Sequence, residues 1–260
     1  MTSAQQWDPQ AYARNASFVP ELGSPLIDLL AVRPGERVLD LGCGDGALTE
    51  RIAASGVQII GVDSSAAMVD AARARGLDAR VGDGRSLAFV AAFDAVFTNA
   101  AMHWMGDLDA VCRRVFRALA PGGRFIGEFG AAGNVASVVA ALDDVLQRQG
   151  VDLTALNPWV FPTEAEFRAI LQTAGFEIDF VKAFPRPTPL PGDIGDWLHT
   201  FAGIFLGAVA PDARASVIDA VRDCLAPSAR SDDGTWTIDY VRLRFRAFRA
   251  AGVDTRNGAG

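Results

Sequence analysis

The stretch VLDLGCGDGALT, residues 38–49, decides the fold of this chain. It joins a short apolar run containing Asp40 to three closely spaced glycines, Gly42, Gly44 and Gly46. Glycine tolerates positive φ and has no Cβ, so this pattern is typical of a strand that turns tightly into a helix. In open α/β sheets, ligands bind beyond the carboxyl ends of the strands. The stretch therefore predicts a parallel sheet with a ligand site at this turn.

Strand-like runs alternate with helical patterns on both sides of this turn, which indicates a parallel sheet with crossover helices. Ser64 and Gly76 are predicted to cap the second helix, and Thr163, Glu166 and Gly175 the last one. The predicted strands are 37–41, 57–63, 78–82, 93–99, 123–129 and 176–184, and the predicted helices are 47–55, 64–75, 107–120 and 163–174.

The last predicted strand is TIDYVRLRFRAF, residues 237–248. Apolar residues and arginines alternate along it, which predicts one buried face and one polar face. We expect it to be antiparallel and to lie at the edge of the sheet, where charged side chains discourage unwanted pairing. The expected fold is α/β, with a mostly parallel seven-stranded sheet and an antiparallel last strand.

The remaining stretches predict a helical cap inserted over the strand ends. Neither insertion has the character of an independent domain, so we expect a single domain over residues 1–260. The expected core spans about 32–130 and 162–184 together with 237–248, and the expected cap is built from 7–31, 131–161 and 185–236.

Composition restricts the class of partner. A net charge of −7 argues against nucleic acid, because a phosphate backbone requires a basic surface. The most apolar stretch, 198–210, is shorter than the ~20 residues of a membrane-spanning helix, and MTSAQQWDPQ lacks a secretory signal pattern. Cys43, Cys112 and Cys224 are scattered and odd in number, which predicts reduced thiols and a cytoplasmic location. Two histidines and no CxxC pair predict no metal site.

The acids near the glycines indicate the kind of cofactor. Asp63 ends the next predicted strand, where a carboxylate can accept hydrogen bonds from both hydroxyls of a ribose. The glycines follow G-x-G-x-G rather than the G-x-G-x-x-G of a dinucleotide site. Asp40 would repel a pyrophosphate but would support a ligand carrying an ammonium and a sulfonium group. A nicotinamide-dependent oxidoreductase is disfavoured and stays open as an alternative.

The motifs LDLGCGDGALT, GVDSSAAM, VGDG, FDAVFTNAAMHWM and LAPGGRF follow one another in this order. In order and spacing the chain resembles the class I S-adenosylmethionine-dependent methyltransferases, over roughly residues 20–248. The resemblance implies a Rossmann-like sheet and S-adenosylmethionine as cofactor. It assigns the cofactor's methionine part to Asp40, Gly42, Cys43, Gly44 and Gly46, its ribose to Asp63, and its adenine to Met68 and Asp83, with Asn99 opening the loop over the reacting methyl. Ser64 and Gly84 are further expected cofactor-binding residues.

Four further segments narrow the resemblance: YARNASFVPELGSPLIDLL (12–30), NAAMHWM (99–105), LNPWVFP (156–162) and DYVRLRF (239–245). They are similar to the trans-aconitate methyltransferase-like group, whose members methylate carboxylates. This implies O-methylation of a carboxylate on a small-molecule acceptor. Hydroxyl O-methylation, C-methylation of a small molecule or lipid, and a non-catalytic S-adenosylmethionine-binding protein remain alternatives. The sequence predicts no oligomeric state.

The candidate catalytic residues follow from the chemistry of the acceptor. Methyl transfer is an in-line displacement, so a carboxylate needs a counter-charge to hold it, whereas a hydroxyl needs a base. His103 follows Asn99 where the acceptor should enter, and it either acts as a base or orients the acceptor. Arg186 and Arg242 are the arginines nearest to this position by topology. An aromatic pocket is expected from Tyr12, Phe18, Trp104, Trp159, Trp197 and Trp236, with His199 and Glu128 as weaker candidates.

Overall fold

The computed structural model describes residues 5–251, and its centre is one seven-stranded sheet in the order β3-β2-β1-β4-β5-β7-β6. Short apolar runs form the central strands, which are buried on both faces. The strands are β1 Arg37–Leu41, β2 Gln58–Asp63, β3 Ala79–Val81, β4 Phe93–Asn99, β5 Leu119–Gly130, β6 Glu177–Pro189 and β7 Thr237–Phe248.

Strands β1 to β5 pair in parallel, and β7 pairs antiparallel with both β5 and β6. The mostly parallel sheet with an antiparallel last strand is therefore confirmed. The edge position expected for β7 is wrong, because β7 lies between β5 and β6. The alternation of apolar and charged residues along a strand indicates the environment of its two faces, but it does not indicate which strands lie beside it.

The arginines of β7 consequently have roles other than protecting an edge. Arg244 lies opposite Glu128 of β5, and Arg246 bonds Asp179 of β6 through Nε at 2.6 Å. Arg242 shares their face of the strand but is buried, beside Tyr240, which packs in the cap. The polar face of β7 is thus covered along part of its length.

Eleven α-helices surround the sheet in the described residues 5–251. The four helices predicted between the strands are present with slightly different ends. The helices are α1 Pro9–Asn15, α2 Phe18–Leu30, α3 Ala47–Ala53, α4 Ala66–Ala74, α5 Leu108–Ala118, α6 Ala136–Gln147, α7 Leu153–Leu156, α8 Glu164–Ala174, α9 Ile194–Phe201, α10 Gly203–Gly207 and α11 Arg214–Ala229.

Helix ends test the predicted caps. The Thr163 hydroxyl accepts from the Glu166 amide while the Glu166 carboxylate accepts from the Thr163 amide, and Gly175 ends α8 at φ +100°. This capping box is confirmed. The N-cap of α4 is Ser65 rather than Ser64, because Ser65 Oγ accepts from the Met68 amide. The chain needs one more residue to leave β2 before the helix begins.

Side chains pack in layers on the two faces of the sheet. On one face, α2 and α3 bury Leu26, Leu30 and Ile52 against Val38 and Phe97 of the central strands. On the other face, α5 and α8 contribute to a second apolar cluster. A third cluster unites α6, α9, α10 and α11 with the start of β7, and it forms the wall above the strand ends. None of the helices within residues 5–251 combines the length and apolarity needed to cross a membrane.

Candidate active site

A cleft lies between the carboxyl ends of β1, β2 and β4 and the third apolar cluster. It runs without interruption from the glycine turn to the cap. Ten of the fourteen residues singled out from the sequence line it. They are Gly42, Gly44, Asp63, Ser64, Met68, Asp83, Gly84, Asn99, His103 and Arg242.

The other four lie outside the lining of this cleft. Asp40 is buried beneath the glycine turn, where its Oδ2 accepts from Thr49 Oγ1 at 2.6 Å. Cys43 and Gly46 support the turn from behind, and a Cβ on Gly46 would come within 2.5 Å of a leucine side chain. Arg186 forms an ion pair with Glu128.

Three positive φ angles shape the turn between β1 and α3: +77° at Gly42, +55° at Gly44 and +83° at Gly46. The Gly42 amide donates to the Val62 carbonyl at 2.7 Å, which holds the turn against the end of β2. A Cβ on Gly42 would lie 2.2 Å from the Ala101 Cβ, whereas a Cβ on Gly44 would meet open space. The turn is thus closed towards Ala101 and open towards the cleft.

Asp63 at the end of β2 is fixed by backbone donors from both sides. Its Oδ2 accepts from the Gly44 amide at 3.0 Å, and its Oδ1 accepts from the Ser65 amide at 2.9 Å. Burial raises the pKa of this carboxyl, and the backbone hydrogen bonds oppose the rise. Each carboxylate oxygen keeps a lone pair for a ligand in the cleft.

Asp83 is a partly exposed acid at the far end of the cleft. Both of its oxygens accept from the Arg85 guanidinium, and Oδ1 also accepts from the Arg85 amide at 2.8 Å. These hydrogen bonds lower the pKa of the Asp83 carboxyl, so it stays ionised. Beside it, Gly84 begins a short 3₁₀ turn, and the nearly buried Met68 supplies an apolar wall.

The segment 99–105 forms the loop between the two halves of the cleft. Ala100 follows Asn99 at φ +54°, a left-handed conformation that is uncommon for a residue with a Cβ. The Ala100 amide donates to the Glu128 carbonyl at 2.7 Å, which fixes this bend. Met102–Trp104 then forms a 3₁₀ turn that places His103 and Trp104 at the cleft.

His103 is 7% exposed, and its Nδ1 accepts a hydrogen bond from the Gly130 amide at 3.2 Å. A backbone amide can only donate, so the neutral ring carries its proton on Nε2. Burial, and next the nearby charge of Arg242, lower the pKa of His103 well below 6.5. His103 therefore offers a hydrogen-bond donor at neutral pH and no free basic nitrogen.

Arg242 is a buried cation in the wall of the cleft, 6% exposed. Within residues 5–251 it has neither an ion pair nor a side-chain hydrogen bond, and its Cζ lies 4.4 Å from the Tyr240 ring centroid. Arg186 and Arg244 differ, because both bind Glu128, at 2.9 and 2.8 Å. Burial lowers the pKa of the Arg242 guanidinium. Of the two arginines predicted for the site, the structure brings only Arg242 to the cleft.

Five aromatic side chains, here named the aromatic collar, line the cap half of the cleft and contact one another in a closed sequence. Successive centroids are 5.0 Å apart for Trp7–Trp104, 5.7 Å for Trp104–Trp159, 6.5 Å for Trp159–Trp197, 5.1 Å for Trp197–Phe201 and 6.2 Å for Phe201–Trp7.

Four of the six aromatic residues expected in a pocket line the cleft: Tyr12, Trp104, Trp159 and Trp197. Phe18 and Trp236 pack in the cap cluster instead, and His199 is exposed. The sequence reading missed Trp7, Phe161, Phe201 and Tyr240. A tryptophan in the polar start of the chain was the one available signal for Trp7, and no local pattern indicates the other three.

Comparison with known proteins gives the family. A sequence profile described as a methyltransferase domain matches residues 38–123. An uncharacterized methyltransferase of Schizosaccharomyces pombe is 36% identical over 255 residues, which cover 94% of this chain and 98% of that protein. The chain belongs to the class I S-adenosylmethionine-dependent methyltransferases. The cofactor of this methyltransferase is S-adenosylmethionine, as the motif resemblance predicted.

Two further similarities are narrower. A trans-aconitate 2-methyltransferase of Mycolicibacterium gilvum is 41% identical over 106 residues, which are 39% of this methyltransferase and 40% of that protein. The solved structure of phosphoethanolamine N-methyltransferase 2 of Haemonchus contortus, in complex with S-adenosyl-L-methionine, matches with a TM-score of 0.56 at 20% identity. That match covers 88% of this methyltransferase and 52% of the other chain, and it shows the shared fold.

Proposed function

We propose that this methyltransferase transfers a methyl group from S-adenosylmethionine to the carboxylate of a small anionic acceptor. The observation that carries the proposal is Arg242, a buried cation without an ion-pair partner in residues 5–251, in the wall of the same cleft as Asp63. An uncompensated buried charge is costly unless a ligand neutralises it. The partial similarity to trans-aconitate methyltransferases supports the same class of acceptor.

The residues around the glycine turn fit the cofactor. We propose that Gly42, Cys43, Gly44 and Gly46 form the backbone cradle of its methionine part, with Asp40 adding negative potential from below. Asp63 and Ser64 would hold the ribose, and Met68, Asp83 and Gly84 the adenine. The open space above Gly44 and the free lone pairs of Asp63 support this placement.

The chain's own residues provide positioning rather than acid–base chemistry. The bound cofactor supplies an electrophilic methyl group on a sulfonium. Arg242 holds the ionised carboxylate, and the His103 Nε2–H donates to one of its oxygens. The other oxygen is left to face the methyl, and Asn99 begins the loop that closes beside it. The aromatic collar excludes water. With the cofactor bound, transfer of its methyl group from sulfur to this oxygen would give a methyl ester and S-adenosylhomocysteine.

Hydroxyl O-methylation is the second candidate, and the geometry of His103 argues against it. A hydroxyl acceptor needs a base within hydrogen-bond reach. Nδ1 of His103 already accepts from the Gly130 amide, Nε2 carries the ring proton, and the low pKa of the ring disfavours uptake of a second proton. C-methylation and a non-catalytic binding role lack a specific supporting contact. We also propose, from the net charge, that the protein does not bind nucleic acid. From its scattered cysteines we propose that it is cytoplasmic.

Replacing Arg242 tests this function. Arg242→Gln should lower kcat/KM for carboxylate acceptors by about 2–4 kcal/mol, roughly 30- to 1000-fold, because the carboxylate loses its desolvated counter-charge. The affinity for S-adenosylhomocysteine, measured by calorimetry, should stay within about threefold. Arg246→Gln is the matched control on the same strand, since Arg246 pairs with Asp179 outside the cleft.

The product identifies the reaction. With methyl-labelled cofactor, an ester releases labelled methanol in alkali, whereas an ether or a C-methyl product does not. Full turnover of carboxylates by Arg242→Gln, or an alkali-stable product, contradicts the proposal.

The cofactor placement has its own test. Asp63→Ala should weaken S-adenosylhomocysteine binding by about 1.5–3 kcal/mol, the scale of lost charge-assisted hydrogen bonds. Asp70→Ala, an exposed acid on α4, is the control. Unchanged calorimetric affinity in Asp63→Ala would overturn the ribose assignment.

A further inference from the structure

The composition of the cap half of the cleft defines the acceptor further. We infer that the acceptor is a monocarboxylate with an apolar, preferably planar body, and that polycarboxylates are poor substrates. This inference rests on the proposed function, since it takes the carboxylate on Arg242 as given. It concerns the rest of the acceptor molecule, which the aromatic collar would enclose.

Among the side chains that line the cleft, one cation is free to hold the carboxylate of an acceptor. The charged side chains that line it are Asp63, Asp83, Arg85 and Arg242. Arg85 is engaged by Asp83 at 2.6 Å, so its charge is already compensated. Outside the lining, Arg186 and Arg244 are both bound to Glu128. Arg242 is the one uncompensated cation that the described lining offers.

The anion position adjoins the aromatic collar through direct contacts. Tyr240, under the Arg242 guanidinium, accepts a hydrogen bond from Trp197 Nε1 at 2.7 Å. On the other side, the His103 ring lies 5.7 Å from the Trp104 ring, between centroids. Trp197 and Trp104 both belong to the collar. An acceptor carboxylate on Arg242 and His103 would therefore direct its body between the rings.

A second carboxylate on the acceptor would lie against these rings without a counter-charge. Burying an ionised carboxylate beside apolar groups is strongly unfavourable unless it is paired. Each tryptophan of the collar carries an indole N–H, and that of Trp197 is already bonded to Tyr240, but none of the collar side chains carries a charge. Asn134 lines the cleft with a neutral side-chain amide, which can donate a hydrogen bond but cannot neutralise a carboxylate.

A cationic acceptor fits this environment less well, although rings of aromatic side chains also bind cations. The Arg242 guanidinium lies over the Tyr240 ring and adjoins the collar. Glu128, an acid whose charge acts on Arg242, is held by two other arginines. Repulsion by an uncompensated positive charge disfavours an ammonium group at this position.

Matched acceptors test the inference. The acids 3-phenylpropionate and octanoate are compared with octanedioate and trans-aconitate, using labelled cofactor and the alkali-release assay. We expect kcat/KM for 3-phenylpropionate to exceed that for trans-aconitate by about 100-fold or more. Octanedioate should fall at least about tenfold below octanoate, because its second carboxylate enters the collar. The corresponding alcohol, 3-phenylpropanol, should give no product.

One collar variant adds a second readout. Trp7→Ala should raise KM for 3-phenylpropionate about 5- to 20-fold, with a small change in kcat and in S-adenosylhomocysteine affinity. Trp7→Phe keeps an aromatic ring, so its KM should stay close to that of the unchanged protein. Trp7 is partly exposed near the start of the described residues, so its loss should leave the fold intact.

The outcomes separate the two proposals. Esters formed faster from trans-aconitate or octanedioate than from the monocarboxylates overturn this inference and leave carboxylate methylation standing. Alkali-stable product from the alcohol, with none from any acid, overturns the proposed function itself. If neither monocarboxylate binds the complex with S-adenosylhomocysteine in calorimetry at millimolar concentration, the inference is also wrong.

Discussion

Asp40 is a buried acid whose only described side-chain partner is the Thr49 hydroxyl. Burial, and then the charge of Asp63, raise the pKa of Asp40 to about 7, against 3.8 for an ordinary Asp. Between these two values the folded chain holds a proton that the unfolded chain releases. Stability is therefore lost as the pH rises through this range, and the loss is complete above it.

Asp40→Asn should remove this cost, since the amide oxygen still accepts from Thr49. We expect the free energy of unfolding to rise by about 2–4 kcal/mol at pH 8, and the gain to be about 2 kcal/mol larger at pH 8 than at pH 5. Urea unfolding at both pH values measures it, with Asp70→Asn as an exposed control. A gain independent of pH would argue against a raised pKa.

His103 determines the expected pH profile of the reaction. With its pKa well below 6.5, the ring stays neutral from pH 6 to 9, and a carboxylate acceptor stays ionised over the same range. We expect kcat to be flat between about pH 6 and 9. His103→Gln, which keeps a side-chain donor, should lower kcat/KM by less than about tenfold. An acid limb near pH 6.5 that disappears in this variant would favour the hydroxyl acceptor instead.

At the scale of elements, the β1–α3 turn and the 99–105 loop meet at Gly42. Ala in its place would bring a Cβ within 2.2 Å of Ala101, at a φ that already disfavours side chains. We expect Gly42→Ala to lower the melting temperature clearly and to weaken S-adenosylhomocysteine binding at least about tenfold.

Gly35→Ala is the matched control, since Gly35 has φ +86° but open space around its Cβ position. It should cost about 1 kcal/mol of stability and leave cofactor affinity unchanged. If both variants lowered cofactor affinity equally, backbone strain alone would explain the loss. The contact between the β1–α3 turn and the 99–105 loop would then have no specific effect on cofactor binding.

The sequence predicts well those strands whose ends are marked by turn residues next to an apolar run. Strands β1, β4 and β7 have the predicted bounds, because apolar runs and turn residues mark both of their ends. The position of β7 between β5 and β6 was not predictable, because strand order depends on contacts far apart in sequence. For the same reason, the sequence alone does not distinguish Arg186 from Arg242 as the arginine that binds the acceptor. Only the pairing of the strands reveals that Glu128 engages one and leaves the other in the cleft.

At the scale of the whole molecule, Glu128 joins three strands. It lies on β5, is 2% exposed, and binds Arg186 of β6 and Arg244 of β7. Removing one partner of a buried ion pair leaves the others uncompensated. Glu128→Gln should therefore destabilise the protein by about 2–4 kcal/mol in urea unfolding, without a change in S-adenosylhomocysteine affinity of the folded protein.

Asp179→Asn is the contrasting change. It breaks the more exposed pair with Arg246, which should contribute less than about 1 kcal/mol. If the two variants were equally stable, the Glu128 cluster would have no special role in holding the β5–β7–β6 side of the sheet together.

The aromatic collar also gives the molecule an intrinsic optical reporter. Of the five tryptophans in the chain, four line the cleft, and Trp236 is buried in the cap cluster. A ligand that displaces water from the cleft changes the polarity around those four indoles, so the emission of the unlabelled protein should shift to shorter wavelength. Trp236 contributes a constant background because its surroundings stay the same. Acceptor screening therefore requires no dye and no turnover, since each titration is read from the protein's own fluorescence.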